Sequence, residues 1–270
     1  MADKAKFISF PEGYLGPKPT KFPLLVDEPD YFAINKPAGM SCYQHDWTMG
    51  MPDVSMALKR ELMNGKPQLA RLGIAGVYRM FRLEAHESGV LMYAKSATVE
   101  EELRNACGSR QFIFKYHLLG LSDSEEREME CSLPVAKHFH EKRALVSHST
   151  GKKCETRFKF LRNFGGFQLW EAETRDNRLH QVRLHAAESG IRIVGDTIYG
   201  GFEPLYLSKV KRGYRPNSEK ERAMYDGVCI HLVNVEFDIP EREMSSIHAP
   251  LPSRFNSLLK RMEENRGYRP

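Results

Sequence analysis

The sequence predicts an α+β fold. Strand-like and helix-like stretches follow one another without a regular βαβ rhythm, short apolar runs are separated by polar turns, and the composition, 41% hydrophobic and 28% charged, is that of an ordinary folded chain. A length of 270 residues permits one large domain or two ordinary ones, and is ample for a sizeable core.

The elements are expected in the following order. Residues 1–23 hold Pro11, Gly13, Gly16, Pro17, Pro19 and Pro23, so they read as an extended lead-in with no separate N-terminal domain, and 24–270 as the folded body. Leu24 to Val26 and Tyr31 to Ile34 read as two strands joined by the turn Asp27-Glu28-Pro29-Asp30, and Lys36-Pro37-Ala38-Gly39 breaks the run. Tyr78 to Leu83 and Val90 to Ala94 read as strands flanking a polar loop, Thr98 to Cys107 as a helix with a Glu-rich opening, and Ile113 to Leu121 as strand again. Arg157 to Leu161 and Phe167 to Glu173 form an expected hairpin across Asn163-Phe164-Gly165-Gly166; Leu179 to Ser189 is an expected helix stopped by Gly190. Ser208 to Arg222 is basic and poor in apolar residues, a surface loop or arm. Val228 to Phe237 is read as strand, and Phe255, Leu258, Leu259 and Met262 recur at the spacing of a helix docked on the core.

Forty Lys and Arg against thirty-five Asp and Glu leave a charge of +5, which suits a polyanionic partner and equally a solvated mixed-charge surface. Five cysteines without a Cys-x-x-Cys pair exclude a disulfide framework and a zinc ribbon, and point to a reducing cytoplasm. No apolar stretch has the length of a signal-peptide core or a membrane span, so a membrane protein is not expected.

Three constellations can carry chemistry. Glu84 with Glu87 resembles a carboxylate pair for glycosidic cleavage, but three residues of separation at a strand-to-loop junction fit that geometry poorly. His138, His140 and Glu141 lack a further well-spaced ligand, and read as an exposed strand with alternating polar residues rather than a metal site. The third is Thr174-Arg175-Asp176-Asn177-Arg178-Leu179-His180-Gln181-Val182-Arg183-Leu184-His185, followed by Gly195-Asp196-Thr197-Ile198-Tyr199-Gly200. A helix beginning near Asn177 would put Arg178, Gln181 and His185 on one face. Its start would suit a phosphate or a buried carboxylate, and its charge equally suits plain solvation.

This last segment closely resembles the G-R-T-H-Q-I-R motif and following G-D-x-x-Y-G turn of RluA-type pseudouridine synthases. Further motifs occur in the family's order: Asp30 to Gly39 resembles the strand ending in N-K-P-x-G, Lys115-Tyr116 the K-x-Y strand, and Cys229-Ile230-His231 the late L-H strand. Phe81-Arg82-Leu83-Glu84-Ala85-His86-Glu87-Ser88-Gly89 resembles H-R-L-D-x-x-T-S-G, with Glu84 where the family has its catalytic aspartate, Phe81 for the His and Glu87 for the Thr. The likeness extends from about Leu24 to Met262.

The resemblance implies a catalytic domain with a mixed, mostly antiparallel sheet and flanking helices around a central cleft. It implies isomerisation of uridine to pseudouridine in ribosomal or transfer RNA, without cofactor or metal. Glu84 takes the role of the catalytic carboxylate, Arg178 pairs with it, and Tyr116 packs on the uracil and helps move the proton. Arg82 matches the arginine that displaces the target nucleotide, and Lys36, Lys115, His180, Gln181, Arg183, Lys209, Lys211, Arg212 and Arg215 are the further expected RNA contacts. The alternative implied by Glu84 is a catalytically silent RNA-binding protein, such as a ribosome-assembly factor or RNA chaperone. The small RNA-binding domain that often precedes this domain is not expected, and a monomer is.

Overall fold

The computed structural model describes residues 7–201, 203–211, 213–215, 221–239 and 244–265. In chain order the elements are β1 (Phe7–Phe10), β2 (Thr20–Asp27), β3 (Tyr31–Lys36), α1 (Val54–Met63), α2 (Pro67–Arg71), β4 (Tyr78–Arg79), β5 (Ser88–Ala94) and α3 (Ala97–Gly108). They continue as β6 (Phe112–Ser122), β7 (Glu128–Cys131), β8 (Val135–Lys137), β9 (Ala144–Val146), β10 (Thr156–Phe164), β11 (Phe167–Thr174) and α4 (Gln181–Glu188). The last are β12 (Ile191–Ile193), α5 (Leu207–Val210), β13 (Ile230–Phe237), β14 (Ser245–His248) and α6 (Ser253–Glu264). The fold is α+β, as expected, and the chain divides into two compact units with interleaved sequence. One holds Met1–Ile113, Arg175–Asn177 and Leu232–Pro250; the other holds Phe114–Thr174, Arg178–His231 and Leu251–Pro270.

In the first unit β1 pairs with β2, β2 with β3 and β3 with β5, all antiparallel. The expected lead-in is therefore built into the sheet from Phe7, which lies opposite Pro23. Every residue of β5 is buried, the pattern of a strand covered on both faces. Its Gly89, at φ +124, is required, because a Cβ there would lie 2.2 Å from the carbonyl oxygen of Leu232 on β13. Helix α1 starts at Asp53, whose Oδ1 accepts the Met56 N–H at 2.8 Å, and turns Val54, Ala57 and Leu58 inward. Helix α3 is the expected one, one residue wider at each end and capped by Ser96.

The expected strand from Tyr78 to Leu83 is shorter than its alternation suggests: β4 covers Tyr78–Arg79, the Met80 N–H still reaches the Met92 carbonyl at 3.2 Å, and the chain bends at Phe81 and is irregular to Glu84.

In the second unit β6, β11, β10 and β7 form an antiparallel run, with β12 also on β6. The expected β10–β11 hairpin closes through Gly165 and Gly166, at φ 61 and 97, positions that suit residues without a Cβ. One face of the run buries Tyr116, Leu118, Phe158, Trp170 and Ala172. The period of two sends Lys115, Arg157, Lys159, Glu171 and Glu173 to the other face, where charges of opposite sign stand opposite one another. Helix α6 packs on β10 and buries Phe255, Leu258, Leu259 and Met262, the four residues its spacing had marked.

Two expectations in this unit change. His138 is not in an alternating strand: β8 ends at Lys137, and the His138 Nδ1 accepts the N–H groups of His140 and Glu141, which makes a tight turn. Helix α4 begins at Gln181 rather than near Asn177, because His180 adopts a left-handed φ of 51 that no helical residue has. No helix among the described residues is long and apolar enough to cross a membrane.

Candidate active site

In the first unit the irregular segment Met80 to Glu87 carries Arg82 and Glu84. Its backbone has no strand beside it at Arg82; instead the Asn177 side chain accepts the Arg82 N–H at 2.7 Å and donates to the Arg82 carbonyl at 2.9 Å. That reciprocal pair supplies what a neighbouring strand would have supplied. A turn then closes, with the Glu87 N–H bonded to the Glu84 carbonyl at 3.1 Å, and the Glu87 carboxylate accepts the Glu84 N–H at 3.0 Å. Glu84 is 5% exposed and its Oε1 lies 3.5 Å from the Arg82 guanidinium, whose side chain is 32% exposed. The carboxylate is thus withdrawn while the arginine beside it reaches solvent.

Lys36, one of the expected RNA contacts, is fully buried. Its Nζ donates to the carbonyls of Pro37 at 3.0 Å, Met40 at 2.9 Å and Glu87 at 2.6 Å, which ties the Asn-Lys-Pro-Ala-Gly turn to the Glu84 turn. A further bond from the Gly39 N–H to the Ala85 carbonyl, 2.8 Å, reinforces that tie. Burial pulls the Lys36 pKa down to about 8, against the opposing pull of Cys42, Glu87 and Glu84. Tyr43 packs beneath Arg79 and Arg82, 4.2 and 5.4 Å from its ring centre. Burial first, and the Glu84 charge second, push its phenol up to about 12.

In the second unit Tyr116 is buried on β6, and Lys115, one residue earlier, projects from the opposite face, 3.9 Å from Glu173. Lys115, an expected RNA contact, and Tyr116 therefore lie on opposite faces of β6. Arg178 is exposed, and its N–H donates to the Gln181 Oε1 at 3.1 Å. The Gln181 amide nitrogen donates to the Glu155 carbonyl and to the hydroxyls of Thr156 and Thr174, pinning the start of α4 to β10 and β11.

His180, Gln181 and Arg183, three of the expected RNA contacts, are all buried and bonded within the protein. The His180 Nδ1 meets the Tyr199 hydroxyl at 3.0 Å. Arg183 forms a two-pronged pair with Asp196, both bonds 2.7 Å, at 1% and 0% side-chain exposure. Asp196 also accepts the N–H groups of Ile198 and Tyr199, so the Gly-Asp turn and α4 are fixed together.

Of the basic stretch, Lys209, Lys211 and Arg215 are exposed on or just beyond α5, while Arg212 lies outside the described residues. Asn177, Glu87, Asp196 and Tyr43 are the contributors that the reading of the residues had not assigned. Asp196 carried a signal in its place in the Gly-Asp turn, Glu87 in its place beside Glu84 and Asn177 in the expected helix start, while Tyr43 carried none. Among the described residues no three His, Cys, Asp or Glu side chains are grouped to hold a metal.

Comparison with known proteins bears on these two groups of residues. A model of the family described as RNA pseudouridylate synthase matches residues 30–188. A ribosomal large subunit pseudouridine synthase D of Xylella fastidiosa is 26% identical over 256 residues, covering 92% of this chain and 72% of the relative. An RNA pseudouridine synthase of Bacillus subtilis is 24% identical over 254 residues, covering 92% and 75%. Among solved structures, human RNA pseudouridylate synthase domain containing 4 superposes with a TM-score of 0.66 at 17% identity, covering 88% of this chain and 92% of that one. Its human counterpart, domain containing 1, gives 0.59 at 19%, covering 86% of each. These two share the fold. The match over 30–188 takes in both the Arg82–Glu84 segment and the start of α4, and the chain belongs to the RNA pseudouridylate synthase family.

Proposed function

We propose that this protein isomerises uridine to pseudouridine in RNA of the large ribosomal subunit, with Glu84 as the carboxylate that acts on the target nucleotide. The observation that carries the assignment of Glu84 is its geometry: a buried carboxylate on a segment clamped by Asn177 and Glu87, next to the half-exposed Arg82. Family membership supplies the reaction, and the names of the relatives favour ribosomal over transfer RNA. On this reading Arg82 displaces the uridine from its stack, Tyr116 packs on the uracil, and Arg178 pairs with the catalytic carboxylate. The uracil is released from ribose at N1, turned, and rejoined through C5; C5 gives up a proton and N1 takes one up, so the balance closes without a cofactor. Five free cysteines suit work in a reducing cytoplasm.

A glutamate reaches on the order of 1 Å further than an aspartate, and misplacement of that size costs roughly a hundredfold in rate. The turn that holds Glu84 therefore has to be matched to the longer side chain. The test is tritium release from C5 of uridine-labelled large-subunit RNA. Glu84→Gln is expected to abolish release, and Glu84→Asp to slow it about a hundredfold. Undiminished release by Glu84→Gln would overturn the assignment. RNA binding without release by the unaltered protein would make it a binding protein instead.

A further inference from the structure

Cys42 lies three residues beyond the Asn-Lys-Pro-Ala-Gly turn, outside every motif of the family resemblance, and is 1% exposed. Its Sγ donates to the Leu83 carbonyl at 2.9 Å. That carbonyl is one pole of a peptide unit whose other pole is the Glu84 N–H, and the Glu87 carboxylate accepts that N–H at 3.0 Å. The peptide unit directly before the Glu84 Cα is thus held at both poles by side chains. The unit before it is held as well, since its carbonyl, that of Arg82, accepts from the Asn177 amide.

The thiol is aimed from a fixed base. The Ser41 N–H donates to the Pro52 carbonyl at 2.8 Å, and the Val54 N–H donates to the Ser41 carbonyl at 2.9 Å. The Ser55 hydroxyl donates to the Cys42 carbonyl and stands 3.0 Å from the Tyr93 hydroxyl, so the Cys42 backbone and the start of α1 are bonded together. Burial above all raises the pKa of the thiol, against the pull of Arg79, and the sulfur keeps the proton that its bond uses. A thiol is a weak donor, but Leu83 is 0% exposed, and a carbonyl that loses its donor inside the protein is left unsatisfied.

We propose that Cys42 is a positioning residue for the reaction: its thiol and the Glu87 carboxylate together set the plane of the Leu83–Glu84 peptide, and with it the direction in which the Glu84 side chain leaves the backbone. Glutamate makes that direction matter more than a shorter acid would. A tilt of the peptide is carried along the whole side chain, so a small rotation at the backbone becomes a larger displacement at the carboxylate oxygens. The proposal rests on the reading of Glu84 as the acting carboxylate and adds a residue that aims it.

The full-length protein is compared with Cys42→Ser, which keeps a donor, with Cys42→Val, which fills the space without one, and with Cys42→Ala, the smallest change. Tritium release from uridine-labelled large-subunit RNA gives kcat and KM, and hydrogen exchange at the Glu84 amide reads the peptide itself. Cys42→Val and Cys42→Ala are expected to lose on the order of tenfold in kcat, with KM for RNA little changed and the Glu84 amide exchanging faster. Cys42→Ser is expected to recover most of both losses. A side chain that only fills space gives the opposite order, with Val like the parent and Ser like Ala. That order, or parent-like kcat and exchange in Cys42→Val, would overturn the role of Cys42 and leave the isomerase reading standing. Should Cys42→Val fail to fold, Ser against Ala decides: equal losses in the two overturn the proposal, and recovery in Ser alone supports it. No tritium release by the unaltered protein would overturn the isomerase reading, and the positioning role with it.

Discussion

The carboxylate of Glu87 accepts the backbone N–H of Glu84 at 3.0 Å, so one buried acid fixes the chain that carries the other. In the resemblance, position 87 is a threonine and position 84 an aspartate; here both side chains are longer. The two changes are coupled through one turn. Glu87→Ala leaves a buried N–H without its acceptor, at a cost of about 1–3 kcal/mol, and frees the Glu84 backbone to shift. Its kcat for tritium release is expected to fall roughly ten- to a hundredfold with KM for RNA little changed. Glu87→Gln keeps an accepting oxygen and should stay within a few-fold of the parent. Glu84→Asp combined with Glu87→Thr should recover rate relative to Glu84→Asp alone, and strict additivity in that double-mutant cycle would show the residues to be uncoupled.

Lys36 gives the fold a pH dependence of definite sign. The unfolded chain keeps this proton up to about 10.5, the folded chain loses it near 8, so between those values the unfolded state binds more protons. Stability contributed by this site therefore rises as pH is raised through that window, by up to about 3 kcal/mol. The expected observation is a urea-unfolding free energy that climbs between pH 8 and 10 in the parent relative to Lys36→Met. Parallel pH curves for parent and variant would show that the buried ammonium does not titrate there.

Much of the sheet was legible because its strands obey a period of two, and α6 because Phe255, Leu258, Leu259 and Met262 repeat at helical spacing. Lys36 was open to the same reasoning: it shares a strand face with Ile34 and Phe32, both buried, which argues for the interior. The segment Tyr78 to Leu83 reads as strand for the same local reason, yet the partner of Arg82 is a side chain 95 residues away, which no local pattern reveals. Asn177 is a good helix cap by type, and the structure spends it on Arg82 instead, so α4 starts later than its sequence suggests. Spacing drew attention to Glu84, beside Glu87, and to Arg178, in line with Gln181 and His185, but gave neither its role, and it said nothing of Tyr116; the roles came only from likeness to a family.

The pair Arg183–Asp196 should behave as a buried ion pair with both partners needed. Arg183→Met leaves the Asp196 charge at 0% exposure without its guanidinium, and is expected to cost about 3–5 kcal/mol in urea unfolding. Arg183→Lys keeps the charge and loses the fork, so an intermediate loss is expected. Because Asp196 also holds the N–H of Tyr199, the Tyr199 contact with His180 should loosen in both variants. A loss below about 1 kcal/mol for Arg183→Met would mean that the site relaxes around the uncompensated carboxylate.

Lys209, Lys211 and Arg215 are exposed on and after α5, whose Ser208 N–H is accepted by Glu221 at 2.8 Å. If each meets one phosphate of a single strand, replacing all three with Ala reduces the slope of log affinity against log salt by about 2, at roughly 0.7 per contact. Affinity near physiological salt should fall on the order of tenfold or more, KM should rise with it, and kcat should hold, since none of the three belongs to the Glu84 segment. An unchanged slope would assign these side chains to the solvated surface. A changed slope with unchanged KM would mean that they engage RNA away from the modified uridine, because contacts made equally in ground and transition states appear in KM when they bear on the reacting strand.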